Sequence, residues 1–569
     1  MEKRHLKGPG LILIAALIFS GCGGLGKMNK YAENIKYTVE PNPLIVQGDS
    51  VAININGNFP GKYFHRKAMV ELTPVVIYEG GEAAAKTEYF QGDKAAGNYT
   101  VVPYEGGKAF SYSDKVAYDP AMAESDLVIR IMGRQGSKEK AFDDVKIADG
   151  VMTTPYLMQA DDKVLLGKDQ FERITAHTQE ATIHYLVNSS VVRSGELRDD
   201  DVKAMADFIR GFMAKGNIEL KNMHIAAWAS PEGELSLNEN LAQDRAKSAH
   251  TWAKGEMKRA KFDGGQQDAF FQLDPRGEDW EGFKTAMQAS DLEDKDLVLR
   301  VLEMYSDVTK REAEIRNMAA TYREIAEEIL PRLRRSEMDL NYEIVGKSDE
   351  EITEFARNTP DSLNAEELLY AATLTEDMNE QMRIYQEAER IYPQDYRGAN
   401  NVGYIHMMQN RVDEAQAQFE KANSIKENPV SNNNLGVVAR LKGDRARAAE
   451  LYNKSMDAGN EVKYNMGIVN IQQGDYSAAN SNMSGFNTFN AALAKMLGGD
   501  PAGAQRIMEE APEKDTAEGH YLMAIIAARQ NNCDGARDHV GQAVQMDDSL
   551  REKAMKDLEF RNCKDQLGL

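Results

Sequence analysis

The feature that most limits the fold of this chain is a period in its last third. Gln381, Ala415, Ala448, Ala479, Ala504 and Ala536 recur at intervals of 34, 33, 31, 25 and 32 residues. Four positions after each stands a bulky residue: Tyr385, Phe419, Tyr452, Met483, Met508 and Val540. Seven after stands a small one at Ala388, Ala422, Ser455, Ala511 and Ala543. Positions i, i+4 and i+7 share one helix face, and such a period holds two helices and their turns. Gly443-Asp444, Gly474-Asp475 and Gly499-Asp500 mark turns. Small residues let paired helices approach and large ones fill the gap, so the segment is expected to stack as helix pairs, each stable against its neighbours.

This pattern resembles the tetratricopeptide repeat (TPR), in about six copies over residues 363–569. The resemblance implies an all-α solenoid whose inner groove holds a peptide or a helix of a partner protein. With Gly403, Gly436 and Gly467 at the family's eighth position, the groove presents Asn400, Tyr404, Met407, Asn433, Arg440, Tyr464 and Ile468. The lysine-rich clamp of the chaperone-tail binders is missing at the matching positions, which argues against that ligand class.

At the other end, Lys3, Arg4 and Lys7 precede an apolar run from Leu11 to Phe19, followed by Ser20, Gly21 and Cys22. That run is too short to span a bilayer and suits a signal peptide, residues 1–21. Ending on cysteine, it resembles the lipobox of bacterial lipoproteins, although Phe19 stands where leucine is usual. The resemblance implies a diacylglycerol on Cys22, and acyl chains together hold a protein on a membrane. Gly23 in place of aspartate implies the outer membrane, and the lack of an acidic cluster after Cys22 favours its periplasmic face. Residues 22–34 read as a tether.

From 35 to 165, alternation at Val51, Ile53 and Ile55, in Met69 to Tyr78 and in Leu127 to Met132 predicts an antiparallel β-sandwich, with Pro74 marking an edge strand or a bulge. From 166 to 347 the pattern is mixed α+β, and 348–362 reads as a linker. Within the mixed region, Trp228-Ala229-Ser230-Pro231-Glu232-Gly233, then Asn238, Leu241, Arg245 and Ala246, resembles the OmpA/MotB C-terminal domain with an enlarged helical insertion at about 281–333. The family grips the diaminopimelate of peptidoglycan, a zwitterion that calls for an anion and a fork-shaped cation. Arg245 matches the cation. Ser230 falls where the family has aspartate, and Glu232 is the nearest substitute. Against this stand plainer roles: Arg245 pairing with Asp244 or Glu239, and Asn238 capping its helix.

A net charge of −22 argues against a nucleic-acid partner, since phosphate binding draws on Lys and Arg contacts. Sequence motifs for zinc peptidases, serine hydrolases and phosphate loops are missing, and the histidines are scattered from His5 to His539, so neither an enzyme, a metal nor a cofactor is expected. Cys533 and Cys563 are available for one disulfide in an oxidising compartment; the sequence does not show their separation. The chain reads as a non-catalytic outer-membrane lipoprotein scaffold that binds partner proteins through its repeats. Two versions stand: one also holds peptidoglycan, and the other is an adaptor of a secretion, assembly or surface-appendage complex that does not.

Overall fold

The computed structural model describes residues 24–569. The signal-like segment and Cys22 lie outside the described residues. The chain divides into two units, one holding the N-terminal part up to Gly167 together with Tyr392–Leu569, the other Lys168–Ile391.

In the first unit, two sheets enclose one core. The first has Ser50–Phe59 at its centre, flanked by Lys36–Val39, Leu44–Gln47 and Lys108–Ala117; the second has Met69–Tyr78 and Ser125–Gln135 at its centre. Alternate residues point inward. Val51, Ile53, Ile55 and Phe59 thus meet Val70, Leu72, Leu127 and Ile129, all at most 1% exposed, each side chain contributing about 1.5–3 kcal/mol by burial. Pairing is antiparallel except that Val151–Met152 runs parallel to Leu44–Gln47 and Thr100–Val102 to Glu88–Gly92. The strand of Pro74 is paired on both sides, against the edge-strand expectation. Pro74 sits where its partner changes from Glu88–Gly92 to Gly81–Ala84, a gap that needs no ladder N–H.

The expected tether is not loose. Gly24–Lys30 is a helix whose Leu25 and Met28, three apart on one face, are buried in the sandwich core. Its Asn29 also bonds to Asp143.

Within the same unit, Tyr396–Met408 and Val412–Ile425 form a helix pair. It is followed by Pro429–Leu441 with Arg445–Asn453, Asn460–Gln473 with Tyr476–Asn482, Phe489–Leu497 with Pro501–Glu510, and Ala517–Arg529 with Cys533–Met546; Ser549–Lys556 closes the row. Side chains of Asp395, Asn428, Asp444, Asp475, Thr488, Asp500, Thr516 and Asn532 cap eight of these helices, each cap being worth about 1 kcal/mol. The period has a direct packing cause. A Cβ on Gly403, Gly436 or Gly467 would lie 2.6, 2.5 or 2.6 Å from the side chains of Phe419, Tyr452 and Met483, the bulky residues of the repeat. Repeating helix pairs with this packing form an all-helical, tetratricopeptide-like solenoid. Cys533 and Cys563 are joined, their Cα atoms 5.1 Å apart, which ties the last pair to the C-terminal turns. The sandwich docks on these helices through Arg445 to Asp49 (2.9 Å), Lys556 to Glu124 (2.9 Å) and Arg561 to the carbonyl of Asn42 (3.2 Å).

The second unit is built on a four-stranded sheet in the order Ile174–His184, Arg335–Val345, Ile218–Ala229, Phe271–Glu278, parallel only between the last two. Helices Asp200–Lys215 and Leu235–Arg259 cover it, burying Met205, Ile209, Ala249 and Met257 against Ile225 and Met338. Short helices between Trp280 and Leu333 form a separate small core around Phe283, Met287 and Ile325. The stretch expected as a linker is instead the helix Asp349–Asn358. Ser348 and Glu351 bond each other's backbone at its start, a capping box that supplies the terminal N–H partners a short helix needs. Ala365–Ala371 and Met378–Ile391 follow. Among the described residues no helix is long and apolar enough to cross a membrane.

Candidate functional site

The groove of the solenoid is occupied by the protein's own chain. After the turn Thr154–Leu157, residues 158–167 form no helix or sheet, and they run along the first helices of four successive repeats. One asparagine from each repeat holds one residue of this segment by both its N–H and its C=O. Asn490 takes Gln159 (2.8 and 2.9 Å), Asn465 takes Lys163 (2.7 and 2.8 Å), Asn434 takes Leu165 (2.7 and 2.7 Å) and Asn401 takes Gly167 (2.7 and 2.9 Å). A carboxamide carries one acceptor and one donor group in a plane, which matches the N–H and C=O that an extended residue turns to one side. Lys163, Leu165 and Gly167 alternate, as extended backbone requires.

A second set of asparagines braces the first. Asn400 and Asn433 donate to the carbonyls of Leu165 (3.1 Å) and Lys163 (2.9 Å). Their own Oδ1 atoms accept from Asn434 (3.1 Å) and Asn465 (3.0 Å) of the next repeat. All six amides are at most 1% exposed, so each needs these partners.

Side chains of the segment are read as well. Asp162 forms a two-point ion pair with Arg440, the two side chains being 4% and 5% exposed. Asp161 accepts from Asn490 (2.6 Å) and from the Tyr464 hydroxyl. Burial first, and Asp161 second, push the Tyr464 phenol far above its ordinary value, so it stays a donor. Lys163 Nζ lies 4.8 Å from the Tyr464 ring centre. Val164 and Leu165 pack among apolar residues of the repeats together with Met407, and Met158 against those further along.

Of the groove residues expected from sequence, Asn400, Asn433, Arg440 and Tyr464 touch the segment, and Met407 packs into the same apolar cluster. Ile468 is instead core, fully buried among Ala479 and Met483, and Tyr404 is half-buried. The residues overlooked are Asn401, Asn434, Asn465 and Asn490, which do the two-way gripping. Their signal was present: they recur at 33, 31 and 25 residues, the repeat's own intervals, and three stand two before a glycine.

The second set of candidates, Ser230, Glu232, Asn238 and Arg245, lies at the end of strand Ile218–Ala229 and on the helix after it. Arg245, 1% exposed, donates to the carbonyls of Ser189 (3.0 Å), Trp228 (2.8 Å) and Leu186 (3.3 Å), and its charge lies 5.3 Å from the Tyr185 ring centre. It does not pair with Asp244 or Glu239. Burial lowers its pKa to about 10. Glu232 accepts from Ser230 (2.7 Å) and from Arg334 (2.9 and 2.6 Å). Asn238 donates to the Glu232 carbonyl (3.0 Å) and to Glu278 (2.8 Å), and caps no helix. The expected fork and anion are thus engaged within the protein, because Arg334 and three backbone carbonyls reach them first.

No protein-family model matches the chain. The cattle (Bos taurus) BBSome complex member BBS4 is 25% identical over 119 residues, which are 20% of this chain and 23% of that protein. The chain thus spans under a quarter of that curated relative. Solved structures similar to it include PilW, a type IV pilus biogenesis factor (19% identity, 35% of this chain and 94% of that one, TM-score 0.28). Another is a tetratricopeptide repeat protein of Parabacteroides merdae (15%, 37% and 91%, TM-score 0.27). A third is YrrB, a TPR protein with an unusual peptide-binding site (16%, 36% and 100%, TM-score 0.22).

Proposed function

We propose that this chain is a non-catalytic, lipid-anchored adaptor of an outer-membrane complex, facing the periplasm and offering protein partners its mixed domain and the repeat surface outside the filled groove. One observation carries the reading: the helix Gly24–Lys30 starts two residues after Cys22 and is packed into the sandwich, which in turn docks on the repeats. A lipid on Cys22 would therefore hold the sandwich and solenoid close to the bilayer.

The order strand, helix, strand, helix, strand, helices, strand over Ile174–Val345 supports an OmpA-like reading of the mixed domain. Its wall-binding role is less well supported than the adaptor alternative. A diaminopimelate carboxylate would have to displace three carbonyls from a nearly inaccessible Arg245, and its ammonium would have to win Glu232 from Arg334. The test is labelling with an alkyne palmitate analogue, with Cys22→Ser as control, followed by capture of tagged protein from detergent-solubilised envelopes and pull-down on purified sacculi. Expected are label on the native chain alone, a reproducible protein partner, and no retention on sacculi. A product without label in the soluble fraction would overturn the anchor, and retention on sacculi would restore the wall-binding version.

A further inference from the structure

We infer that the solenoid groove is a peptide site closed in cis: residues 159–167 are its resident ligand, and a partner recruited by this chain binds elsewhere unless that segment leaves. The inference stands apart from the anchor and from the choice of envelope complex.

Three observations carry it. The ladder asparagines are used in both directions, and with exposures of 0–1% they offer no amide to an incoming peptide. The segment is also recognised by composition and not only by backbone. Asp161 and Asp162 meet Tyr464, Asn490 and Arg440, and the Val164-Leu165 pair fills an apolar slot. Gly167 sits where a Cβ would come within 2.8 Å of the Arg397 side chain. The ligand class that fits is therefore an extended peptide with two adjacent acids, one intervening residue, an aliphatic pair and a glycine two residues beyond it. Finally, the segment is anchored beside the groove. Thr154 bonds to Glu559, which also accepts from Arg529 of the last repeat.

Tethering converts binding into an intramolecular event at an effective concentration of about millimolar, so a free peptide of micromolar affinity would see its apparent Kd weakened about a thousandfold. The probe is a fluorescein-labelled synthetic peptide of residues 156–169. It is titrated into the full chain and into a full chain whose residues 159–167 are replaced by a glycine–serine stretch of equal length. The replaced chain should bind the peptide at least a hundredfold more tightly than the native chain, and a peptide with Asp161 and Asp162 changed to asparagine should lose at least tenfold. Equal binding by the two chains, or no binding by a replaced chain that is folded by circular dichroism, overturns the proposal. Should the replaced chain not fold, Asp162→Asn in the full chain decides. It weakens the cis ligand and leaves Arg440 to the peptide, so binding should tighten about tenfold over native, and no change refutes a cis-loaded groove.

Discussion

Replacing Asn434 by alanine strikes the ladder at its centre. Asn434 is fully buried; it accepts from the Leu165 N–H and donates to the Leu165 carbonyl, both at 2.7 Å. Alanine leaves the N–H buried without its acceptor, at about 1–3 kcal/mol, whereas the carbonyl keeps the donor Asn400 at 3.1 Å and loses about 1 kcal/mol. The Asn434 amide also bonds Asn400 (3.1 Å) and accepts from Asn433 (3.2 Å), so the brace between repeats weakens too. The expected cost is about 2–4 kcal/mol, large beside the roughly ±0.5 kcal/mol of an exposed change such as Asn453→Ala. Aspartate at 434 would keep the acceptor but set an anion against the Leu165 carbonyl, so it should cost at least as much at neutral pH. Urea unfolding followed by far-ultraviolet circular dichroism reads the helical transition. A shift for Asn434→Ala no larger than that for Asn453→Ala would refute the view that the segment is structurally bound.

Reducing the Cys533–Cys563 bond, which closes a 30-residue separation, should destabilise the last repeat by about 3–4 kcal/mol of loop entropy, seen as a lower urea midpoint in dithiothreitol and no change in the Cys563→Ser chain. Burial first, then the neighbouring His520, lowers the His539 pKa while Asp538 opposes. The unfolded chain therefore binds the extra proton first, and stability should fall as pH drops below about 6.5 through the folded-state value. His539→Gln should flatten that part of the Tm-against-pH curve. Gly436→Ala puts a methyl 2.5 Å from the Tyr452 ring and should cost about 1–3 kcal/mol by overpacking, measured as a drop in thermal midpoint; an unchanged midpoint would show that the repeat period is not set by this contact.

How much of this was legible in the sequence follows from where periodicity exists. Repeats and sandwich strands carry their spacing in Ala415, Ala448, Val51 and Ile53, because one buried face repeats at 3.6 or 2 residues. Residues 158–167 have no such face. They are held at Gln159, Lys163, Leu165 and Gly167 by amides from four distant helices, and backbone gripped by asparagine leaves no periodic pattern in the segment itself. The seven-residue helix Gly24–Lys30 is too short for a period, and Leu25 and Met28 alone did not separate it from a tether. The helix after Ser348 was readable from its Ser-x-x-Glu start. Arg245 shows the opposite limit: a motif can place an arginine correctly on its helix without revealing that carbonyls, and not a ligand, surround it.

Hydrogen exchange at the amides of Lys163, Leu165 and Gly167 reads most directly whether the chain fills its own groove. These donors are bound at 2.7 Å to buried asparagines, so they should exchange only with unfolding of the repeats, as slowly as helix amides around Asn434 and Asn465. Exchange at the rate of an open loop, with the neighbouring helices still protected, would contradict it.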